Sequence, residues 1–165
     1  MNDALEKAKC CLQIQDVFLR ACEAKLAEDF DPKYSAGVDE LLVQFKHIVA
    51  RSEVLTLEGD DGQPIGIFRV HIDVGARWIE TASDADARET EKALIETTYV
   101  AEYLMTEDPG KAGLEAFALK NASYHVWPFW REYLMSQATR MNLPKVAVPT
   151  MLFASNSHAA GAARG

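Results

Sequence analysis

The 165-residue sequence contains little of what marks several protein classes. It has only three cysteines, Cys10, Cys11 and Cys22, an odd number without a C-x-x-C spacing, which predicts neither a disulfide framework nor a zinc site. No apolar run approaches the ~18 residues that a membrane helix requires. The N-terminus has acidic residues among its lysines and no apolar core, which is not typical of a signal peptide. We therefore expect reduced thiols and a cytoplasmic protein.

The common signatures of cofactor and catalytic chemistry are also absent. The sequence contains no Walker loop, dinucleotide glycine fingerprint, nucleophile elbow or H-E-x-x-H motif, and we predict no cofactor and no metal. Positive charge is scarce as well, because 17 Lys and Arg face 25 Asp and Glu, a net charge of -8. Nucleic acid and anionic membranes are disfavoured as partners. Residues 28–61 are the most acidic stretch, which favours a solvated face over a surface that steers a basic partner.

The composition, 48% hydrophobic and 25% charged, is that of one soluble globular domain. Period-two alternation predicts four strands. We place them at residues 11–25, 41–57, 65–80 and 93–105. A helix over residues 5–26 is the alternative for the first strand, because its flanks are rich in Ala, Glu and Lys. Asp61, Gly62 and Pro64 predict a hairpin turn between the second and third strands.

Helical periodicity follows the strands. A short piece is predicted near residues 114–122, and a longer helix is predicted to open at Pro128, since proline is favoured in a first turn. Leu143 and Pro144 end it. The order of elements predicts an α+β fold, with a four-stranded antiparallel meander followed by a long helix packed on it.

Polar candidates for chemistry are few. Arg69, His71 and Asp73 alternate on the polar face of the third strand, where they could orient an imidazole for general-base work. A polar ladder on a strand is the favoured interpretation, because no nucleophile or ligand can be assigned. His125 lies among aromatic residues and is expected to be a packed, hydrogen-bonded histidine. Asp61 and its acidic neighbours Glu58 and Asp60 lack the spacing of a calcium loop and are read as turn residues.

The distinctive feature is apolar surface in excess of what one sheet and one long helix can cover. Phe30 and Tyr34 in the first long loop, the row Leu41, Val43 and Phe45, and the Trp-rich helix compete for one small core. Such a surplus indicates self-association, a groove for apolar polypeptide, or both. Packing inside one core stays an open alternative.

Three segments, in this order, resemble SecB, the bacterial export chaperone family. They are CLQIQDVF, ALIETTYV and the block YHVWPFWREYLMSQATRMNLPKVAVPTMLF. The similarity is greatest at Trp127-Pro128-Phe129-Trp130-Arg131-Glu132, and it extends over residues 11–154. Residues 1–10 form an N-terminal extension and residues 155–165 a flexible tail in this reading.

The resemblance implies a homotetramer, a dimer of dimers, that holds unfolded precursors without catalysis and passes them to the SecA motor. It assigns roles to three sets of residues. The residues that it assigns to substrate binding are Phe30, Tyr34, Leu41, Val43 and Phe45. Those that it assigns to SecA docking are Leu94 and Glu96. Those that it assigns to subunit contacts are Ile95, Thr97 and Tyr99, together with Trp130, Tyr133 and Gln137 on the helix.

The sequence departs from the family at the docking face. Two positions that are acidic in the family are Ala21 and Lys25 here, one charge lost and one reversed. The second helix of the family is reduced to about one turn near Met151–Phe153. We therefore expect an ATP-independent holdase whose client is either a general export precursor or one dedicated partner, such as the antitoxin of a toxin-antitoxin pair. The alternative from another class is a small-molecule-binding or catalytic α+β protein that uses Arg69, His71 and Asp73.

Overall fold

The structure is a computed structural model, and it describes residues 2–81 and 88–150. The described residues contain three α-helices, four strands and a short 3-10 helix at Val38–Glu40. In chain order the α-helices and strands are α1 (Asn2–Cys11), β1 (Leu12–Leu26), β2 (Leu42–Glu58), β3 (Pro64–Glu80), β4 (Thr90–Met105), α2 (Lys111–Lys120) and α3 (Ala122–Arg140). The α+β class, the four antiparallel strands and the long C-terminal helix are confirmed.

The strand order is β1-β4-β3-β2, and every neighbouring pair is antiparallel. The predicted four-strand meander is therefore correct for β2, β3 and β4 and wrong for β1, which pairs with β4. Residues 27–41, which contain Pro32 and Gly37, carry the chain across the sheet from one edge to the other. A connection of this length lets β1 and β2 become the two edges.

The two faces of the sheet follow the alternation of the sequence. One face packs against α3, and we call it the helix side; the opposite face is the outer face. Phe68, Val70, Ile72 and Val74 are all buried on the helix side, as predicted. The β2–β3 turn is confirmed too, since Gly62 has φ 75°, which glycine adopts at no steric cost, and the Gln63 amide donates to Asp61 Oδ1 at 3.0 Å.

The N-terminal residues form α1, which the sequence analysis did not predict. The alternative helix over residues 5–26 is wrong as well, because the chain becomes strand at Leu12. Helix α1 packs on α2 at Gly113, where an added Cβ would lie 3.2 Å from the Ala4 carbonyl oxygen. Most of its other side chains face solvent, so this contact is what holds the helix.

Helix α3 begins six residues before Pro128, so the predicted start at that proline is wrong. Pro128 is exposed, and its ring therefore projects into solvent rather than into the sheet. The helix tolerates the missing N–H at the cost of one hydrogen bond to the preceding turn. Its end is confirmed, because the Leu143 amide donates to the Ala138 carbonyl at 2.9 Å and Asn142 turns the chain with φ 53°.

Within the described residues, no helix is both long and apolar enough to cross a membrane. The predicted single turn near Met151–Phe153 and the tail at 155–165 lie outside the described residues.

Candidate client and docking surfaces

The outer face of the sheet carries oppositely charged side chains that pair between strands. Arg69 of β3 forms an ion pair with Glu102 of the adjacent β4, and the Arg69 guanidinium also lies 6.0 Å from the centre of the Phe18 ring. Lys46 of β2 lies 3.6 Å from Glu96 of β4, across Gly75 of the intervening β3. Opposite charges that face one another on a sheet stabilise it. The outer face is therefore a charge-paired surface.

Arg69, His71 and Asp73 do share this face, as predicted, but each has its own partner. His71 Nε2 lies 2.9 Å from Glu53 Oε1, and that hydrogen bond is the main cause that lowers the pKa of Glu53. The Thr98 hydroxyl donates to Asp73 Oδ1 at 2.6 Å. His71 is 3% exposed. The geometry supports a polar ladder rather than an imidazole presented to a substrate.

The predicted docking residues are neighbours on the same face. Leu94 and Glu96 of β4 pair in register with Lys25 and Glu23 of β1. Ala21 of β1 pairs with Thr98, the next residue of β4 that lies on the outer face. The four positions of interest, Ala21, Lys25, Leu94 and Glu96, therefore meet at one end of the outer face. Lys25 Nζ lies 2.8 Å from Glu23 Oε1, and this carboxylate raises the pKa of the lysine. The Glu96 carboxylate forms an ion pair with the Lys46 ammonium. A role in docking stays a prediction.

The long loop at residues 27–41 separates its two aromatic rings. Phe30 is 8% exposed and belongs to the core, whereas Tyr34 is 82% exposed. Asp31 fixes the loop, because its carboxylate accepts the Lys33 amide at 2.8 Å and the Tyr34 amide at 3.2 Å. The backbone therefore holds the Tyr34 ring out into solvent, with the Lys33 ammonium 5.8 Å from the centre of the ring.

The remaining predicted substrate residues, Leu41, Val43 and Phe45, are half-buried and pack against the core from the helix side. Their role in substrate binding stays a prediction. Sequence reasoning missed apolar side chains that are more exposed than these three. The most exposed of them, apart from Tyr34, are Leu42, Val54, Leu57, Tyr124, Phe129 and Met135.

The predicted subunit contacts occupy the layer between the sheet and α3. Ile95, Thr97 and Tyr99 are buried on the helix side, and the Tyr99 hydroxyl donates to the Phe129 carbonyl at 3.3 Å. Burial raises the pKa of Tyr99 to about 12. On α3, Trp130 is fully buried, while Tyr133 and Gln137 stay partly exposed. Contact of these six residues with a second copy stays a prediction.

Two histidines join α3 to the sheet. His125 is hydrogen-bonded to the Tyr103 hydroxyl at 2.9 Å, as expected for a packed histidine, and burial lowers its pKa. His47 of β2 was missed, and its Nε2 lies 2.7 Å from the Ser123 hydroxyl, with its ring against Trp127. Both His47 and Ser123 are buried, so this pair locks α3 onto β2. Among residues 2–81 and 88–150, no group of His, Cys, Asp and Glu could hold a metal ion.

Comparison with known proteins finds solved structures of similar fold. Among them is a SecB-like chaperone from Mycobacterium tuberculosis in complex with a ChAD peptide from the HigA1 antitoxin, which matches with a TM-score of 0.61 at 18% sequence identity. The alignment covers 91% of this chain and 97% of that one. No protein-family model matches this chain, and no curated protein matches it. The comparison therefore establishes a SecB-like fold.

Proposed function

We propose that this protein is an ATP-independent holdase that binds unfolded or aggregation-prone polypeptide. The observation that carries the proposal is the combination of a SecB-like fold over nearly the whole chain with large apolar side chains left in solvent. The similar M. tuberculosis chaperone was solved with a bound peptide, which supports polypeptide as the ligand class. We propose no catalytic role, since the polar ladder of the outer face is satisfied by its own strand partners.

The mechanism needs no chemical step. Covering an exposed apolar side chain with a client's apolar residue recovers ~25 cal/mol for each Å² removed from water. This free energy depends little on the client's sequence, so selectivity is low and several weak contacts must act together. Tyr34, Leu42 and Met135, which lie on different elements, are examples of such contacts. We propose that a cytoplasmic homotetramer, a dimer of dimers, supplies them in multiple copies.

The client is, in our proposal, a dedicated one, of the kind seen in the antitoxin-peptide complex of the similar chaperone. The charge pattern of the outer face supports this choice over delivery to SecA. An acidic docking face requires free carboxylates, whereas Glu23 and Glu96 each lie beside a lysine, Lys25 and Lys46. Ala21 leaves a further position without charge. Delivery to SecA stays the second candidate, carried by Leu94 and Glu96.

Aggregation suppression tests the proposed activity. A chemically denatured reporter enzyme is diluted into buffer with increasing amounts of the protein, and light scattering is recorded without ATP. We expect suppression at a near-stoichiometric ratio, and a mass in solution of about 73 kDa, four times the 18.3 kDa of one chain. A monomer that leaves the scattering unchanged would favour the small-molecule or catalytic alternative instead.

Charge restoration tests the partner. Ala21→Asp and Lys25→Glu place acidic groups on exposed strand positions beside Glu23 and should not disturb the core. If the docking face is only weakened, the double variant should bind SecA more tightly than the wild type in titration calorimetry at low salt. No gain in SecA affinity, with aggregation suppression retained, would support the dedicated client. The matched control is Gln13→Glu, which adds a charge on the same strand away from this end.

A further inference from the structure

A polar groove crosses the outer face of the sheet from the β1 edge to the β2 edge. Its volume is about 410 Å³. All four strands line it, through Arg20 and Ala21 of β1, Thr98 of β4, His71 and Asp73 of β3, and Ala50 and Arg51 of β2. None of the residues that the resemblance assigns to substrate binding, SecA docking or subunit contacts is among them. His71 and Asp73 were polar candidates of the sequence, but the arginines at the two ends of the groove were not identified.

Two β-bulges face one another across this groove. The register of β1 with β4 shifts at Arg20, and the register of β2 with β3 shifts at Ala50. Both shifts adjoin one row of paired residues that crosses the sheet through Leu19, Tyr99, Ile72 and Val49. A bulge redirects a side chain out of the regular alternation of its strand, which explains how Arg20 comes to line the outer face. At the other edge the extra residue is the small Ala50, which leaves room beside Arg51.

An arginine with donors to spare lies at each end of the groove. Arg20 is exposed, and among the described residues its guanidinium has no ion pair or hydrogen bond. Arg51 Nη1 lies 3.0 Å from Glu53 Oε2, but a guanidinium carries five N–H donors, so Arg51 can bind a second acceptor. The other oxygen of Glu53 lies 2.9 Å from His71 Nε2, so this carboxylate is held from two sides. Each end can therefore bind a carboxylate of a ligand.

The floor between the two arginines carries a negative charge. The Thr98 hydroxyl donates to Asp73 Oδ1 at 2.6 Å, and within the described part of the chain no lysine or arginine forms an ion pair with this carboxylate. Asp73 can therefore bind a cationic group of a ligand, and it repels a ligand that is anionic throughout. The charges across the groove are positive, negative and positive.

The width of the sheet sets the spacing of the complementary charges. Neighbouring strands are ~4.8 Å apart, so three steps separate the backbones of β1 and β2 by about 14 Å. Four residues of an extended peptide span about 13 Å, and side chains at positions i, i+2 and i+4 point to the same side. A peptide laid across the strands therefore presents three alternate side chains to the two ends and the floor of the groove.

We propose that this groove binds an extended peptide segment that is acidic at positions i and i+4 and basic at position i+2. The two carboxylates pair with Arg20 and Arg51, and the basic side chain pairs with Asp73. Charge complementarity of this kind selects the partner and its register more than it raises affinity, and exposed pairs are screened by salt. The proposal does not rest on the holdase function, because it uses charged side chains of the outer face and none of the exposed apolar ones.

Fluorescence anisotropy with labelled peptides tests the order of charges on the full-length chain. The probe carries Glu-Thr-Lys-Thr-Glu between glycines, and the reordered peptide Glu-Glu-Thr-Thr-Lys has the same composition and net charge. At low salt we expect the chain to bind the probe about fivefold more tightly than the reordered peptide. Equal affinities for the two peptides would overturn the proposal. Tighter binding of an oligothymidylate than of the probe would also overturn it, since the groove would then be a nucleic-acid site.

Charge reversal locates the site. The Arg20→Glu chain should bind Glu-Thr-Lys-Thr-Lys about fivefold more tightly than the probe, whereas the wild type should show the opposite order. Lys120→Glu is the matched control, because it makes the same change of charge at an exposed position of α2 outside the groove and should keep the wild-type order. An Arg20→Glu chain that keeps the wild-type order, or a Lys120→Glu chain that inverts it, would refute the proposal.

The floor of the groove has its own test. Asp73→Asn keeps an acceptor for the Thr98 hydroxyl and removes the charge, so the variant should lose the preference of the wild type for the probe over Glu-Thr-Gln-Thr-Glu. An unchanged preference would contradict the pairing of Asp73 with the basic side chain. Because none of these measurements uses a denatured client, failure of the holdase assay leaves this inference standing, and the reverse also holds.

Discussion

Truncation of Tyr34 separates client binding from folding more cleanly than any other change in this chain. The ring is 82% exposed, and the Lys33 ammonium lies 5.8 Å from the ring centre. The two hydrogen bonds that hold the residue come from its backbone amide, to the carboxylate and the carbonyl of Asp31, and alanine keeps both. Tyr34→Ala should therefore change the free energy of unfolding by no more than about 0.5 kcal/mol.

The effect on client affinity should be much larger. A fully buried aromatic side chain removes roughly 150–250 Å² from water. If a client covers about half of that area, the loss at ~25 cal/mol per Å² is about 2 kcal/mol per site, or roughly 30-fold in affinity. The effect multiplies when several copies of the loop hold one client. A strongly reduced ability to suppress aggregation is the expected result.

Fluorescence anisotropy of a labelled unfolded client measures this loss, and urea denaturation confirms that stability is retained. Lys33→Ala is the matched control, because it truncates the exposed neighbour of Tyr34 in the same loop and removes no apolar ring. Phe30→Ala supplies the opposite case: this ring is 8% exposed in the core, and its removal should cost about 3–5 kcal/mol of stability. A Tyr34→Ala chain that binds clients within twofold of the wild type would refute the assignment of this loop to client binding.

Three further predictions concern the fold. Glu102→Ala leaves the half-buried Arg69 guanidinium without its ion pair and should cost about 1 kcal/mol in urea denaturation; an unchanged midpoint would show that the pair contributes nothing. Burial lowers the pKa of His125, so the unfolded chain binds the proton more readily, and stability should be complete above pH ~6.5 and decrease as the pH falls below it. His125→Gln should flatten this dependence, measured as melting temperature against pH, and an unchanged slope would contradict it. Pro128→Ala restores an N–H inside α3 and should stabilise the chain by about 1–3 kcal/mol in calorimetry, and a chain no more stable than the wild type would contradict this.

The parts of the fold that depend on local alternation were predictable. In β3 every second residue from Phe68 to Val74 is apolar, and the residues between them are polar, so the strand and both of its faces follow from the sequence. The β2–β3 turn was predictable for the same reason, because Asp61 and Gly62 act through their own backbone and the adjacent amides.

The parts of the fold that depend on contacts between distant residues could not be predicted from the sequence. Helix α1 is held by α2, which lies about a hundred residues further along the chain, and its exposed charges give no strong periodicity of their own. The pairing of β1 with β4 is equally remote. His47 and Ser123 are separated by 76 positions, and neither residue type marks a helix-to-sheet hydrogen bond in advance. Pro128 misled the prediction because the first turn is only the commonest place for a helical proline.

Client binding also depends on contacts between distant parts of the chain. A side chain can bind a client only where no other part of the fold covers it, whatever its residue type. Phe30 and Tyr34 lie four residues apart in one acidic loop and look equivalent in the sequence, yet one is buried in the core and the other stands in solvent. The row Leu41, Val43 and Phe45 is half-covered by packing against the core, which local alternation cannot reveal. A holdase has to keep apolar groups exposed that folding would otherwise bury. The client surface should therefore be sought first at apolar side chains that remain exposed although they lie close to the core. Tyr34 is the most exposed of them.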